Sequence, residues 1–183
     1  MPATASPRER LLAAADELFY AEGVHSVGID RIIDRAGVAK ASLYKTFGSK
    51  EELVYAYLTD RHRHLMARHR AHVAKRTDPR DRILAVFDSQ AERLSDPDFR
   101  GCAFAAACAE APRGGLIEQA STAYRQAFRA LLTELAADYG AADPAAIAAQ
   151  LHIIYDGVGQ SANLDADPGA AGSGRALAEA LLS

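Results

Sequence analysis

The sequence predicts an all-α protein of about nine helices, with a small N-terminal three-helix domain joined through a long helix to a larger helical bundle. Three observations predict this. Apolar residues recur three and four apart along nearly the whole chain, the period of a helix with one buried face. No stretch alternates apolar and polar residues long enough to make a strand. Glycines, prolines and Ser/Asp caps fall between the periodic segments, where helices start and stop.

The first seven residues read as a flexible tail. Ser6 with Glu9 makes a capping box and Pro7 suits the first helical position. The first helix then runs to about Glu22, with Leu11, Leu12, Ala15, Leu18 and Phe19 inward, and Gly23 ends it. A second, short helix carries Ile29, Ile32, Ile33 and Ala36 on one face. Gly37 stops it, because glycine readily takes the left-handed backbone that closes a helix. The third helix, Lys40 to Phe47, turns Leu43 and Phe47 inward and leaves Lys40, Ser42, Tyr44, Lys45 and Thr46 outside or at the edge.

Gly48 breaks that helix, and Ser49 with Glu52 caps a fourth that runs to about Lys75. At about 1.5 Å per residue it is roughly 37 Å long. Leu53, Val54, Tyr57, Leu58, Leu65 and Val73 mark its buried side. Asp78 and Pro79 open a fifth helix to Leu94, and an alanine-rich sixth follows Cys102 to about Ala111. The seventh spans about Leu116 to Tyr139, and the eighth runs from Pro144 to about Ala162. Leu164 to Gly174 reads as a loop or weak helix before a short terminal helix. No Gly/Pro linker separates the halves, so the domain boundary falls inside the fourth helix, giving 1–52 and 53–183.

Small residues, hydroxyls and two lysines on the third helix suit entry into a DNA major groove. Here a family resemblance becomes specific. Ile32, Ala36, Gly37, Val38, Leu43, Tyr44, Phe47, Lys50, Glu51 and Leu53 stand in a register that resembles the DNA-binding domain of the TetR family of bacterial transcriptional regulators. Arg10 and Phe19 extend the match upstream, so that it covers roughly the first third of the chain. A compact αα-hairpin built only to pack a core does not require the exposed Tyr44, Lys45 and Lys50.

The resemblance implies a homodimer on a palindromic double-stranded DNA operator, most simply a repressor released by a small-molecule effector in the C-terminal domain. It also implies no enzymatic activity and no cofactor. The DNA-binding residues it points to are Gly28, Lys40, Ala41, Ser42, Tyr44, Lys45, Thr46 and Lys50. Lys45 and Lys50 suit phosphates, and Lys40, Ala41, Ser42, Tyr44 and Thr46 suit base edges or nearby backbone. Gly28 departs from the family's usual Ser or Thr, which removes a side-chain oxygen that would cap the second helix or touch a phosphate. Ser26 and His25 are the nearest substitutes, neither in register. Effector binding is expected to tilt the long helix that begins at Ser49 and so change the spacing of the two reading heads.

The bulk numbers fit this reading. Net charge is −3, but Met1 to Arg76 holds 13 Lys/Arg against 9 Asp/Glu, and the remainder 8 against 15. The basic excess thus sits in the half that carries the candidate reading helix. Two scattered thiols, Cys102 and Cys108, and no signal peptide predict a reducing cytoplasm and no mutual disulfide. No apolar run is long enough to span a membrane.

Phe87, Phe104, Cys108, Tyr124, Phe128, His152 and Tyr155 come from separate C-terminal helices and form the candidate ligand-binding set. Tyr124, His152 and Tyr155 would add polar tips to an apolar pocket, although any one of these residues also suits an ordinary core. Leu151, Ile154, Val158, Leu177 and Leu181 form the candidate dimer interface, with Gly157 and Gly159 allowing close approach. The His- and Arg-rich run from Arg61 to His72 lacks acidic or thiol ligands at metal spacing and reads as a solvated basic face. No phosphate loop, nucleophile elbow or metal-binding His/Glu motif is present. The one enzyme-like pair is His152 with Asp156, four apart on a helix, a spacing common without catalysis.

Overall fold

Nine helices organise the computed structural model, which describes residues 5–183, and no strand occurs among the described residues. They are α1 (Pro7–Glu22), α2 (Ile29–Ala36), α3 (Lys40–Phe47), α4 (Lys50–Val73), α5 (Pro79–Leu94), α6 (Ala103–Glu110), α7 (Leu116–Tyr139), α8 (Pro144–Leu164) and α9 (Ala170–Leu181). The tail expected at the N-terminus lies, for its first four positions, outside the described residues.

Local chemistry sets most of these bounds. The backbone N–H of Glu9 donates to Ser6 Oγ at 3.3 Å, and that of Ser6 donates back to Glu9 Oε2 at 2.7 Å. Asp78 and Asp143 accept from the third residue of α5 and α8 at 3.0 Å each. Glu52 N–H donates to Ser49 Oγ at 3.1 Å at the head of α4. Each such cap satisfies an amide that the helix itself leaves unpaired. Gly37 closes α2 with φ 62° and ψ 44°, a left-handed conformation that a side chain would oppose.

The chain divides into two compact units. The first runs to Arg61 and adds Ala103–Thr122, and the second holds His62–Cys102 and Ala123–Ser183. The sequence-based boundary at 52/53 therefore differs from the division along α4, and the return of α6 and the start of α7 to the first unit was not expected. In this unit α1 packs across α2 and α3 around Leu11, Ala15, Phe19, Val27, Ile32 and Leu43. Phe19 meets Tyr57 of α4 at 5.6 Å between ring centres. Arg10 donates to the carbonyls of Ala36 and Gly37 at 3.2 and 3.1 Å, neutralising the negative end of α2 and pinning the α2–α3 turn to α1.

The second unit is built from the remainder of α4 with α5, α7, α8 and α9, around Ile83, Val86, Phe87, Phe128, Leu132, Leu135 and Leu151. The stretch from Leu164 to Gly174, expected as a loop or weak helix, contains both: residues 165–169 lie outside any helix, and α9 begins at Ala170, packed against α8. Within the chain α8 and α9 approach closely at Gly174, where a Cβ would stand 2.0 Å from Val158 Cγ2.

The burial of α8 also revises the interface set. Leu151 is fully buried and Val158 is 7% exposed within their own chain, so neither is free to meet a partner. Ile154 and Leu181 are half-buried. Leu177 is 59% exposed, alongside Ile153 at 71% and Leu164 at 74%, which the sequence pattern did not single out.

The Gly174–Val158 contact carries a prediction. Alanine outranks glycine in a helix by about 1 kcal/mol, but overpacking costs about 1–3 kcal/mol and wins at this separation. Gly174→Ala is expected to destabilise, and Gly174→Ala with Val158→Ala to lose less than the sum of the single changes. Additive losses in denaturant unfolding would mean that the two side chains do not compete for the same space.

Candidate nucleic-acid interface

The exposed side of α3 gathers the residues expected to meet DNA. Lys40, Ala41, Tyr44, Lys45 and Thr46 are exposed, with Ser42 and Lys50 half-exposed. Leu43, fully buried, anchors the opposite face. Tyr44 is 46% exposed, although an aromatic ring of this size is costly to leave in water. No partner for the Lys45 ammonium is found among the described residues, which leaves it available to an incoming anion.

The other polar groups are partly engaged. Lys40 Nζ lies 2.8 Å from Asp30 Oδ1 of α2, and that carboxylate raises the lysine pKa from its ordinary value. Both groups are exposed, so the pair is weak and opens easily. Thr46 Oγ1 donates to the Ser42 carbonyl at 2.7 Å. Lys50 Nζ donates to the His25 carbonyl at 3.4 Å. Partial burial lowers its pKa, and the Glu110 carboxylate opposes that shift. Arg8 stands 5.6 Å above the Phe47 ring at the end of α3.

Gly28 caps α2 with extended backbone and no side-chain hydrogen bond, and nothing stands within 4 Å of where a Cβ would be. The missing Ser or Thr is therefore not a steric demand of this fold. It leaves the first amides of α2 without a side-chain cap, and such N–H groups suit a phosphate oxygen. Neighbouring arginines are spent internally, since Arg31 pairs with Glu22 at 2.5 Å and Arg35 with Glu17 at 2.8 Å.

In the second unit five of the candidate ligand residues meet. Phe128 is the hub, with Tyr155 at 4.6 Å, His152 at 5.0 Å and Tyr124 at 6.1 Å between ring centres. Phe87 faces Tyr155 at 6.3 Å. Burial pushes the Tyr155 hydroxyl up to about 12 and raises that of Tyr124 well above its usual value. Both therefore stay neutral donors. His152 is 2% exposed and its Nδ1 has no hydrogen-bond partner among the described residues. Burial lowers its pKa, against the pull of Asp156. Its Nε2 is 3.8 Å from Asp156 Oδ2, too long for a hydrogen bond, and Asp156 is held by Arg125 at 2.9 Å. The two side chains therefore face each other without a hydrogen bond.

Phe104 and Cys108 belong to the first unit. Cys108 Sγ donates to Ser121 Oγ at 3.0 Å beside a cavity of about 370 Å³ lined also by Ala111, Pro112, Arg113 and Glu118. Cys102 is exposed and precedes α6 rather than lying on it.

Sequence reasoning missed two buried polar groups and misread the basic run. His69 is 1% exposed, with Nδ1 3.1 Å from Ser89 Oγ and Nε2 3.3 Å from the Tyr155 hydroxyl. Gln90 donates to the Tyr155 carbonyl at 2.7 Å, while its Oε1 has no partner among the described residues. The run from Arg61 to His72 is therefore not a solvated face throughout. His62 packs on Tyr124 at 5.7 Å, His72 pairs with Glu92 at 2.8 Å, and Arg61 lies 3.7 Å over the Tyr20 ring while bonding Asp16. The signal was in the spacing. His69 falls on the apolar stripe of α4 between Met66 and Val73, and Gln90 falls between Phe87 and Leu94 on α5.

Comparison with known proteins agrees with this geometry. Residues 11–57 match the family described as bacterial regulatory proteins, tetR family. The crystal structure of a TetR-family transcriptional regulator from Streptomyces coelicolor superposes with a TM-score of 0.90 at 36% identity, covering 96% of this chain and 94% of that one. A TetR-type regulator structure from Streptomyces avermitilis gives 0.77 at 32% identity over 96% and 99%. Among curated proteins, the transcriptional activator FasR of Mycolicibacterium smegmatis is 42% identical over 82 residues, 45% of this chain and 37% of its own length. The transcriptional repressor KstR2 of Mycobacterium tuberculosis is 34% identical over 89 residues, 49% and 44% respectively. The chain thus spans less than half the length of the curated relatives it matches. With an exposed reading helix set on a three-helix head and full-length likeness to solved regulators, the chain belongs to the TetR family of bacterial DNA-binding transcriptional regulators.

Proposed function

We propose that this protein is a cytoplasmic, dimeric repressor that holds a palindromic operator and releases it when a small molecule binds the second unit. One observation supports the DNA contact most directly: α3 leaves Tyr44 and Lys45 exposed while Leu43 fixes its other face in the core. Lys45 and Lys50 take phosphates. Lys40, Ala41, Ser42, Tyr44 and Thr46 face the major groove, and the open amides after Gly28 take a further phosphate. Two heads related by a twofold axis reach successive grooves about 34–36 Å apart.

Phe87, Tyr124, Phe128, His152 and Tyr155, all of the second unit, surround the effector. The effector is a small, mostly apolar molecule that supplies hydrogen bonds to His152 Nδ1 and Gln90 Oε1. A buried polar atom left unpaired costs about 1–3 kcal/mol, and a ligand that pairs it recovers that cost. Release requires that the ligand favour the DNA-incompetent form, since equal affinity for both would shift nothing.

The test begins by selecting duplexes from a random-sequence library with the full chain. Lys45→Ala removes one phosphate contact from each head and should flatten the dependence of log affinity on log salt by about 1.8, and Tyr44→Ala should weaken binding about tenfold while leaving the fold intact. Unchanged affinity in both variants would refute the interface. Transcription from a promoter bearing the selected duplex should fall on adding protein, and a rise would make the protein an activator.

A further inference from the structure

We propose that Glu110, outside the reading head in sequence, is a positioning residue for DNA binding that sets the α1–α2 loop and, through it, Lys50. The inference rests on the interface reading above, in which Lys50 meets a phosphate. Glu110 is the last residue of α6, where a negative charge meets the negative end of the helix dipole and is unfavourable. Its geometry supplies a reason for it to be there. Glu110 Oε2 accepts from the backbone N–H of His25 at 2.6 Å, across 85 residues of sequence. The carbonyl of the same His25 accepts from Lys50 Nζ at 3.4 Å, and the Glu110 charge acts on that ammonium.

The fit is tight. A Cβ on Gly23, the residue that closes α1 with φ 89°, would stand 2.6 Å from Glu110 Oε1. The backbone at that position calls for glycine, and a side chain there would have to push the Glu110 carboxylate aside. A second carboxylate works in the opposite direction, since Glu51 Oε1, next to Lys50, accepts from the N–H of Leu116 at the start of α7 at 3.2 Å. The corner between α6 and α7 is thus hydrogen-bonded to the head on both sides of Lys50. Charge-assisted bonds of this kind are the stronger ones and fix a loop that has no helix of its own.

The proposal separates reach from charge, and three full-length variants test it against the duplex that wild-type protein enriches from a random library. Glu110→Ala should weaken affinity about tenfold, reduce the salt slope toward that of Lys50→Ala, and speed amide exchange at His25 in the DNA-free protein at least tenfold. Glu110→Gln keeps an accepting oxygen at the same reach and should stay within about threefold of wild type in affinity and exchange. Glu110→Asp keeps the charge but retracts it by a methylene, and should lose affinity and His25 protection; it serves as the milder variant if the alanine does not fold. In a Lys50→Ala background, Glu110→Ala should not lower the slope further. Unaltered His25 exchange in Glu110→Ala, or an aspartate variant that binds better than the glutamine one, would overturn the proposal. A wild type that enriches no duplex would instead sink the interface reading, and His25 exchange would still report on the hydrogen bond.

Discussion

Acidification below neutral is expected to destabilise the second unit steeply, and His69 is the main cause. Its imidazole is enclosed by Phe128 and Tyr155, at 5.2 and 5.6 Å between ring centres, and bonded on both nitrogens. Burial, with smaller contributions from the charges of Arg93, His72 and Arg68, pulls its pKa from 6.5 to about 3. In the unfolded chain the same ring takes up a proton near 6.5. Between these values the unfolded form holds the extra proton, so stability is full above 6.5 and is lost as pH falls toward 3. The slope is about 1.4 kcal/mol per pH unit, so roughly 3 kcal/mol is lost by about pH 4. Burial lowers the pKa of His62 and His152 in the same direction. Urea unfolding of wild type and His69→Gln at several pH values checks this, since the variant should be less pH-dependent by about one proton. Equal slopes would show that His69 does not govern the acid response.

What could be read in advance was what short-range chemistry decides. Ser6 with Glu9, Asp78 and Asp143 each bond an amide three residues away, so α1, α5 and α8 begin where the sequence places them. The reading helix was legible because Gly37 and Gly48 bracket it and Leu43 is its one fully buried large residue. The failures share a non-local cause. Gly174 looks like a loop residue until Val158 is placed against it. His69 looked solvated because Arg61, Arg63 and Arg68 precede it in the same run, yet the fold turns that one position inward. Leu151 and Val158 belong to an apolar stripe, but periodicity cannot say whether such a stripe meets its own core or a second chain. The placement of α6 against the head depends on Glu110 and Glu51 meeting residues far away in sequence. The apolar pattern did find most of the aromatic cluster, because large side chains at core spacing must converge somewhere. It could not find Gln90, a polar residue on an apolar face.

Replacing Ile153 and Leu177 together by glutamate is expected to split the proposed dimer and lower operator affinity by at least about a hundredfold. Ile153, Leu164 and Leu177 are 71%, 74% and 59% exposed, an arrangement that leaves large aliphatic side chains of α8 and α9 in water. Covering one such side chain is worth about 1.5–3 kcal/mol, and a twofold contact covers each residue twice. Twofold symmetry also makes each substitution act twice, placing carboxylates from both chains in one apolar contact where desolvation disfavours them. Neither residue is needed for the core, because α8 is held in its own chain by Leu151, Tyr155 and Val158, all at most 9% exposed. The variant should therefore fold as a monomer. A monomer presents one head, and loss of the second removes the gain of about 10²–10⁴ that linked binding provides. Sedimentation and DNA titration of the same sample separate the steps. A variant that remains dimeric would move the interface elsewhere on the second unit. A monomer with wild-type affinity would mean that a single α3 suffices to hold the operator, and the twofold account of recognition would be wrong.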